Sequence, residues 1–150
     1  MNTYVRFGLM IATSTACMLG LMYLNTYALE HVAFSETRVY MAIVMGATMA
    51  VVMLAFMLKM HTNRRLNIAI FVGSAVLFAL ALWLVRSQTT VQDVSYMKAM
   101  IPHHSIALLT SERARISDPR VRKLADEIIE SQRREIAEMN ALIRDLENRR

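Results

Sequence analysis

Apolar and polar positions are distributed unevenly along the 150 residues of this chain. Three stretches, Phe7 to Leu29, Val39 to Leu58 and Leu66 to Val85, are uncharged and long enough to span a bilayer, which takes roughly 20 apolar residues. Beyond Arg86 the pattern changes, and apolar residues recur three and four apart among charged ones, the period of an amphipathic helix. Val94, Met97, Ile101, His104 and Leu108 share one face of a helix predicted from Val91 to Arg115. A second helix, Pro119 to Asn148, carries the stripe Val121, Leu124, Ile128, Gln132, Glu135, Met139, Leu142 and Leu146, widened by Ala125, Ile129, Ile136 and Ile143. Ile116 to Asp118 forms the turn, with Asp118 or Ser117 as N-cap and Pro119 in the first helical position. Pro102 removes a backbone donor inside the first pattern, so a kink or a fresh first turn is expected beside His103.

The expected fold is therefore all-α: a membrane domain of three transmembrane helices over residues 1–86, then a two-helix antiparallel hairpin over 87–150. Two helices cannot bury both sides of such broad apolar faces. Self-association of the hairpin into a four-helix bundle, a homo-oligomer, is expected.

Composition agrees with the division. The chain is 55% hydrophobic, more than a soluble domain of this size usually carries. Residues 1–85 hold five Lys/Arg and two Asp/Glu, whereas 86–150 hold twelve and ten. The net charge of +5 is thus spread thinly, with no basic block of the kind that binds nucleic acid. Cys17 is alone, which excludes an intrachain disulfide. The first span is too long for a signal-peptide core and two more follow it, so it reads as a retained anchor. Lys59, Arg64 and Arg65 lie in the loop between the second and third spans, and the loop before it, Glu30 to Arg38, carries two acids and one arginine. The positive-inside rule then puts the N-terminus in the cytoplasm. The hairpin faces the periplasm or cell exterior of a multi-pass protein of the bacterial inner membrane.

The second span carries Met41, Met45, Met49, Met53 and Met57 at unbroken four-residue spacing, with Met60 beyond. Residues four apart stack along one helix face. Such a stripe fits close packing, with methionine as gap-filler and Ala42, Gly46 and Ala50 allowing near approach. It also fits a thioether relay for Cu(I).

The densest chemistry lies in the hairpin. Met97, Met100, His103 and His104 fall within eight residues, and Gln132, Glu135 and Met139 follow on the next helix. An antiparallel hairpin turning near residue 117 brings the two histidines level with Gln132 and Glu135, and Met97 and Met100 near Met139. Gln132 and Glu135 occupy stripe positions where apolar residues would pack better, and a carboxylate removed from water must be paired or bind metal. Thioethers select soft ions such as Cu(I), and imidazole serves copper in either oxidation state. These seven residues form the expected metal site, with copper as the ion, Cu(I) preferred and Cu(II) allowed.

At these residues the chain resembles the bacterial domain of unknown function 305 family. The resemblance runs from about Val94 to Leu146. It rests on Met97 and Met100 before Ile101-Pro102-His103-His104, on Ala107, on Asp118-Pro119 with Val121-Arg122 and Leu124-Ala125, and on Gln132-Arg133-Arg134-Glu135-Ile136 with Met139. It implies a ferritin-like helical bundle and, by analogy with some members, copper binding in the periplasm. Ser105 stands where the family commonly has Gln, and Leu109 and Thr110 stand where an acid and Met often follow, so fewer ligands remain on the first helix.

The leading reading is a membrane-anchored, exterior-facing protein that sequesters or transfers copper. The alternative is a structural or interaction protein whose hairpin oligomerises or docks a partner, with His, Glu and Met as a polar core. A di-iron enzyme would need Glu-x-x-His motifs, and neither His103 nor His104 has a Glu three residues before it. No other catalytic grouping is evident, and a non-enzyme is expected.

Overall fold

The computed structural model describes residues 2–149, and it is all helical among them. Helix α1 (Thr3–Leu21) begins where the Asn2 side chain accepts the Tyr4 N–H, closing one of the orphan donors of the first turn. It stops at Leu21, well short of Leu29. The correction has a local cause: Thr26 donates both its N–H and its hydroxyl to the Tyr23 carbonyl, forming a turn that mean hydropathy does not register. A short 3₁₀ turn, Leu29–His31, follows. Helix α2 spans Glu36–Phe56 and α3 spans Arg64–Ser87, with Asn63 accepting from the N–H groups of Arg65 and Leu66 at the start of α3. Gln88 ends α3 in the left-handed region at φ 54°, its N–H on the Leu84 carbonyl and its side-chain amide on that of Val85. Helices α1, α2 and α3 are each long and apolar enough to cross a membrane.

Helix α4 (Asp93–Arg113) runs without a break through Pro102, so no new helix begins there. Proline has no N–H to return to the Lys98 carbonyl, so one rung of the helix ladder is absent in the turn before the two histidines. Helix α5 (Pro119–Asn148) starts as its sequence predicts, with Asp118 accepting the Arg120 N–H at 2.8 Å and Pro119 in the first turn. Arg149 caps its end, and Arg150 lies outside the described residues.

The chain divides into two compact units, Met1–Met22 with Thr37–Thr90, and Tyr23–Glu36 with Val91–Arg150. In the first unit the usual order of side chains is reversed. Small or polar residues are buried, among them Ala42, Gly46, Ala47, Ala50, Ser74 and Ala81, while Leu9, Val52, Phe56, Ile68, Val76, Leu80 and Trp83 face outward. Helices packed in lipid show this pattern, because lipid accepts large apolar groups and close helix contact needs small ones. A Cβ at Gly46 would overlap the Thr15 side chain, so α1 and α2 meet where only glycine fits. Met41, Met45, Met49, Met53 and Met57 are all half-buried, and the first four each precede a member of the buried row Ala42, Gly46, Ala50 and Leu54. Met53 packs on the cluster of Phe7, Ala50 and Leu54. The groove among α1, α2 and α3, about 350 Å³, is walled by residues such as Ile11, Thr15, Gly46, Ser74 and Leu77. The methionine stripe flanks the helix contact.

In the second unit α4 and α5 pack as an antiparallel pair around Met97, Ile101, Leu108, Ile136 and Ile143, with Val94, Ile129, Met139 and Leu146 against them. The seam of α5 is therefore Ala125, Ile129, Gln132, Ile136, Met139, Ile143 and Leu146, alternately four and three apart. This corrects the predicted stripe. Val121, Leu124 and Leu142 lie on its flank and are exposed, Leu124 at 56%. A strict four-three alternation follows the narrow contact line of two paired helices, whereas the wider apolar face extends past it.

Candidate metal centre

The α4 seam passes through Ser105, which is fully buried, and His104 lies beside it, half-buried. That offset determines what each does. Ser105 Oγ accepts the Tyr27 N–H at 2.7 Å and lies 2.9 Å from His31 Nδ1, to which its hydroxyl donates when Nδ1 carries the lone pair. One hydroxyl thereby ties both Tyr27 and the 3₁₀ turn to α4. His104, one position on, faces a groove of about 480 Å³ along α4 and α5.

Five of the seven expected residues line this groove: Met97, Met100, His104, Glu135 and Met139. Met97 is buried and Met100 and Met139 are half-buried. His104 Nδ1 lies 3.0 Å from Glu135 Oε2. The approach is close but poorly aligned, and this buried nitrogen has no hydrogen-bond partner among the described residues. Burial pushes the His104 imidazole below its ordinary pKa of 6.5, with Glu135 opposing the shift and His103 adding to it. Glu135 holds the ring from its Nδ1 side, an arrangement that orients a ligating histidine.

Two expected residues are elsewhere. His103 is exposed and lines no part of the groove, although its ring lies 6.3 Å from that of His104. Consecutive helical residues diverge by about 100°, so one histidine of the pair must turn away. Gln132 is half-buried on the seam and also lies outside the groove wall. Glu135 is on the flank, its side chain 40% exposed, so it is not the fully buried carboxylate that the stripe implied.

The groove also holds residues that periodicity did not single out. Asp93, Glu138 and Asp145 line it with Glu135, and no Lys or Arg does so among the described residues. The wall is thus anionic around a thioether and imidazole centre, a field that favours a cation. Elsewhere Lys98–Glu147, at 2.6 Å, and Arg133–Glu112 tie α4 to α5 and fix their register. Glu112 is held below the usual carboxylate range by the Tyr27 hydroxyl first and by Arg133. Among the described residues no three His, Cys, Asp or Glu side chains come together as a metal-ligating group. Any ion held in this groove depends on the methionines.

The family described as a domain of unknown function (DUF305) matches residues 93–150, which hold α4, the turn and α5. An uncharacterized protein of Acanthamoeba polyphaga mimivirus is 33% identical over 156 residues, covering 99% of each chain, and so extends the similarity through all three apolar helices. No solved structure matches.

Proposed function

This chain belongs to the domain of unknown function (DUF305) family, and from that footing we propose that it is a membrane-anchored binding protein for a soft metal ion, copper as Cu(I), which it sequesters or transfers. One observation carries the reading: three thioethers, an imidazole and a carboxylate line one groove. Met97, Met100, Met139 and His104 would hold the ion, since sulfur selects Cu(I) and imidazole accepts it. Glu135 would neutralise its charge or orient the ring. Hard dications are poorly served by thioethers, so calcium and magnesium are not the preferred cargo.

The flank of α5 supports an oligomer. Val121, Leu124 and Leu142 lie outside the seam and, with Tyr96 on α4, leave apolar surface that a second hairpin would cover. A ferritin-like bundle built from two such hairpins is the arrangement proposed. The basic loop Lys59–Arg65 supports a topology with that loop in the cytoplasm, which puts the hairpin on the outer side of a cell membrane.

Titration of the full chain in detergent micelles with Ag(I), a redox-inert stand-in for Cu(I), tests the reading. The wild type is expected to take up at least one equivalent at the groove. Met100→Leu with Met139→Leu should weaken that uptake while leaving the helices folded, because Leu nearly matches Met in volume. Failure of Ag(I) to perturb the methyl groups of Met97, Met100 and Met139 would refute it.

A further inference from the structure

A second cluster of soft donors lies in the apolar unit, at the end that carries the Lys59–Arg65 loop. His61 lies in this short polar loop, yet it is only 1% exposed. Tyr4 and Phe7 pack edge-on against its ring, with centroids 4.9 and 5.4 Å away. Its backbone is also fixed, since the Asn67 amide donates to the His61 carbonyl at 2.7 Å and Tyr4 Oη donates to Asn67 Oδ1 at 2.9 Å. The loop is therefore a built structure around one imidazole.

The two ring nitrogens differ. Nδ1 lies 3.1 Å from the Met57 carbonyl, an acceptor, so Nδ1 carries the proton. Nε2 then bears the lone pair, and it is buried with no hydrogen-bond partner among the described residues. Orphaned buried polar atoms are rare in native proteins and need a reason. His61 lines a cavity of about 320 Å³ whose wall includes Met10 from α1 and Met57 and Met60 from the turn that follows α2.

We propose that Met10, Met57, Met60 and His61 Nε2 form a soft-metal site for a monovalent ion such as Cu(I) or Ag(I), distinct from the hairpin groove. A main-chain carbonyl on the second nitrogen is the usual device that fixes a ligating histidine in the correct tautomer. Thr3, Arg6 and Phe7 also line the wall, and among the described residues no carboxylate does. An arginine without a carboxylate opposes a dication. Thioethers and imidazole are soft donors, which favours a singly charged, polarizable cation as the occupant. The inference stands or falls independently of metal binding by the hairpin.

The test uses the full chain in detergent micelles, carrying Met100→Leu and Met139→Leu to weaken the groove and [¹³C-methyl]-methionine as reporter. On addition of Ag(I), the methyl signals of Met10, Met57 and Met60 should shift together and saturate at one equivalent. Met57→Leu and Met60→Leu, near-isosteric changes, should each lower Ag(I) affinity at this site at least about tenfold, no less than loss of an outer-sphere partner costs. His61→Gln should abolish the shifts. Should that variant unfold, the two Met→Leu variants still decide the matter. Methyl signals of Met10, Met57 and Met60 that stay fixed in excess Ag(I), or binding indifferent to both Met→Leu changes, would overturn the proposal. If the groove of the otherwise wild-type chain also fails to bind Ag(I) while these three signals shift, the hairpin reading falls and this one survives.

Discussion

His104 and Glu135 face each other across the α4–α5 pair, with Nδ1 and Oε2 3.0 Å apart, yet the imidazole nitrogen makes no well-aligned hydrogen bond. Both side chains reach the same groove as Met97, Met100 and Met139.

Glu135→Gln separates a ligand set from a polar core. With metal bound in the groove, removing the carboxylate charge should lower Ag(I) affinity by roughly 10–100-fold, as for an outer-sphere partner of a ligating histidine. Competition titration of wild type and variant reads this directly. Equal affinities would remove Glu135 from the site.

The pH dependence follows from burial of His104. Its folded-state pKa lies below 6.5, so the unfolded chain takes up the proton first as pH falls. The stability that the neutral ring contributes is fully present above pH 6.5 and is lost as pH drops from there through the folded-state value. Thermal unfolding in micelles across this range should show the loss, and His104→Gln should remove that component. Protons likewise should not compete for the ligand nitrogen at neutral pH, so Ag(I) affinity should begin to fall only below 6.5.

Ser105 should be the least replaceable polar residue of α4. Ser105→Ala strands the Tyr27 N–H and His31 Nδ1, at a cost of about 1–3 kcal/mol for a buried unsatisfied group. Ser105→Gln should cost more, since the site is fully buried and has no room for a longer side chain. Hydrogen exchange of the Tyr27 amide is the specific readout, and protection there unchanged by Ser105→Ala would contradict the assignment.

Leu124→Lys tests the oligomer. This residue is 56% exposed on the flank of α5, so the change should leave the seam intact. If a second hairpin covers Val121, Leu124 and Leu142, sedimentation in micelles should show loss of the dimer with helicity retained. A wild type that sediments as a monomer would exclude the bundle.

Much of this was legible in the chain, for identifiable reasons. Asp118-Pro119 marks the start of α5 because a cap acceptor followed by fixed φ is a local signal. The spans were legible from mean hydropathy, except for the end of α1, where a turn made by Thr26 leaves hydropathy almost unchanged. Stripe residues three and four apart identify a helix but not which edge of the stripe meets the partner, and so Glu135 and Leu124 were expected further inside than they are. The contacts of Ser105 join residues 78 and 74 positions apart, and no periodicity announces them. His61 was hidden for the same reason, since its cage comes from Tyr4 and Phe7 at the far end of the unit's sequence.

The membership of Tyr23–Glu36 in the hairpin unit changes what the link from Gln88 to Gln92 does. The backbone enters and leaves that unit between Met22 and Tyr23, again between Glu36 and Thr37, and a third time between Thr90 and Val91. A protease that severs the last crossing would not release the hairpin, because Ser105 still grips Tyr27 and His31, and Ser95 still donates to Glu36. A fragment beginning at residue 87 would therefore be a hairpin stripped of its clasp, with a raw hydroxyl where the intact protein has a closed joint.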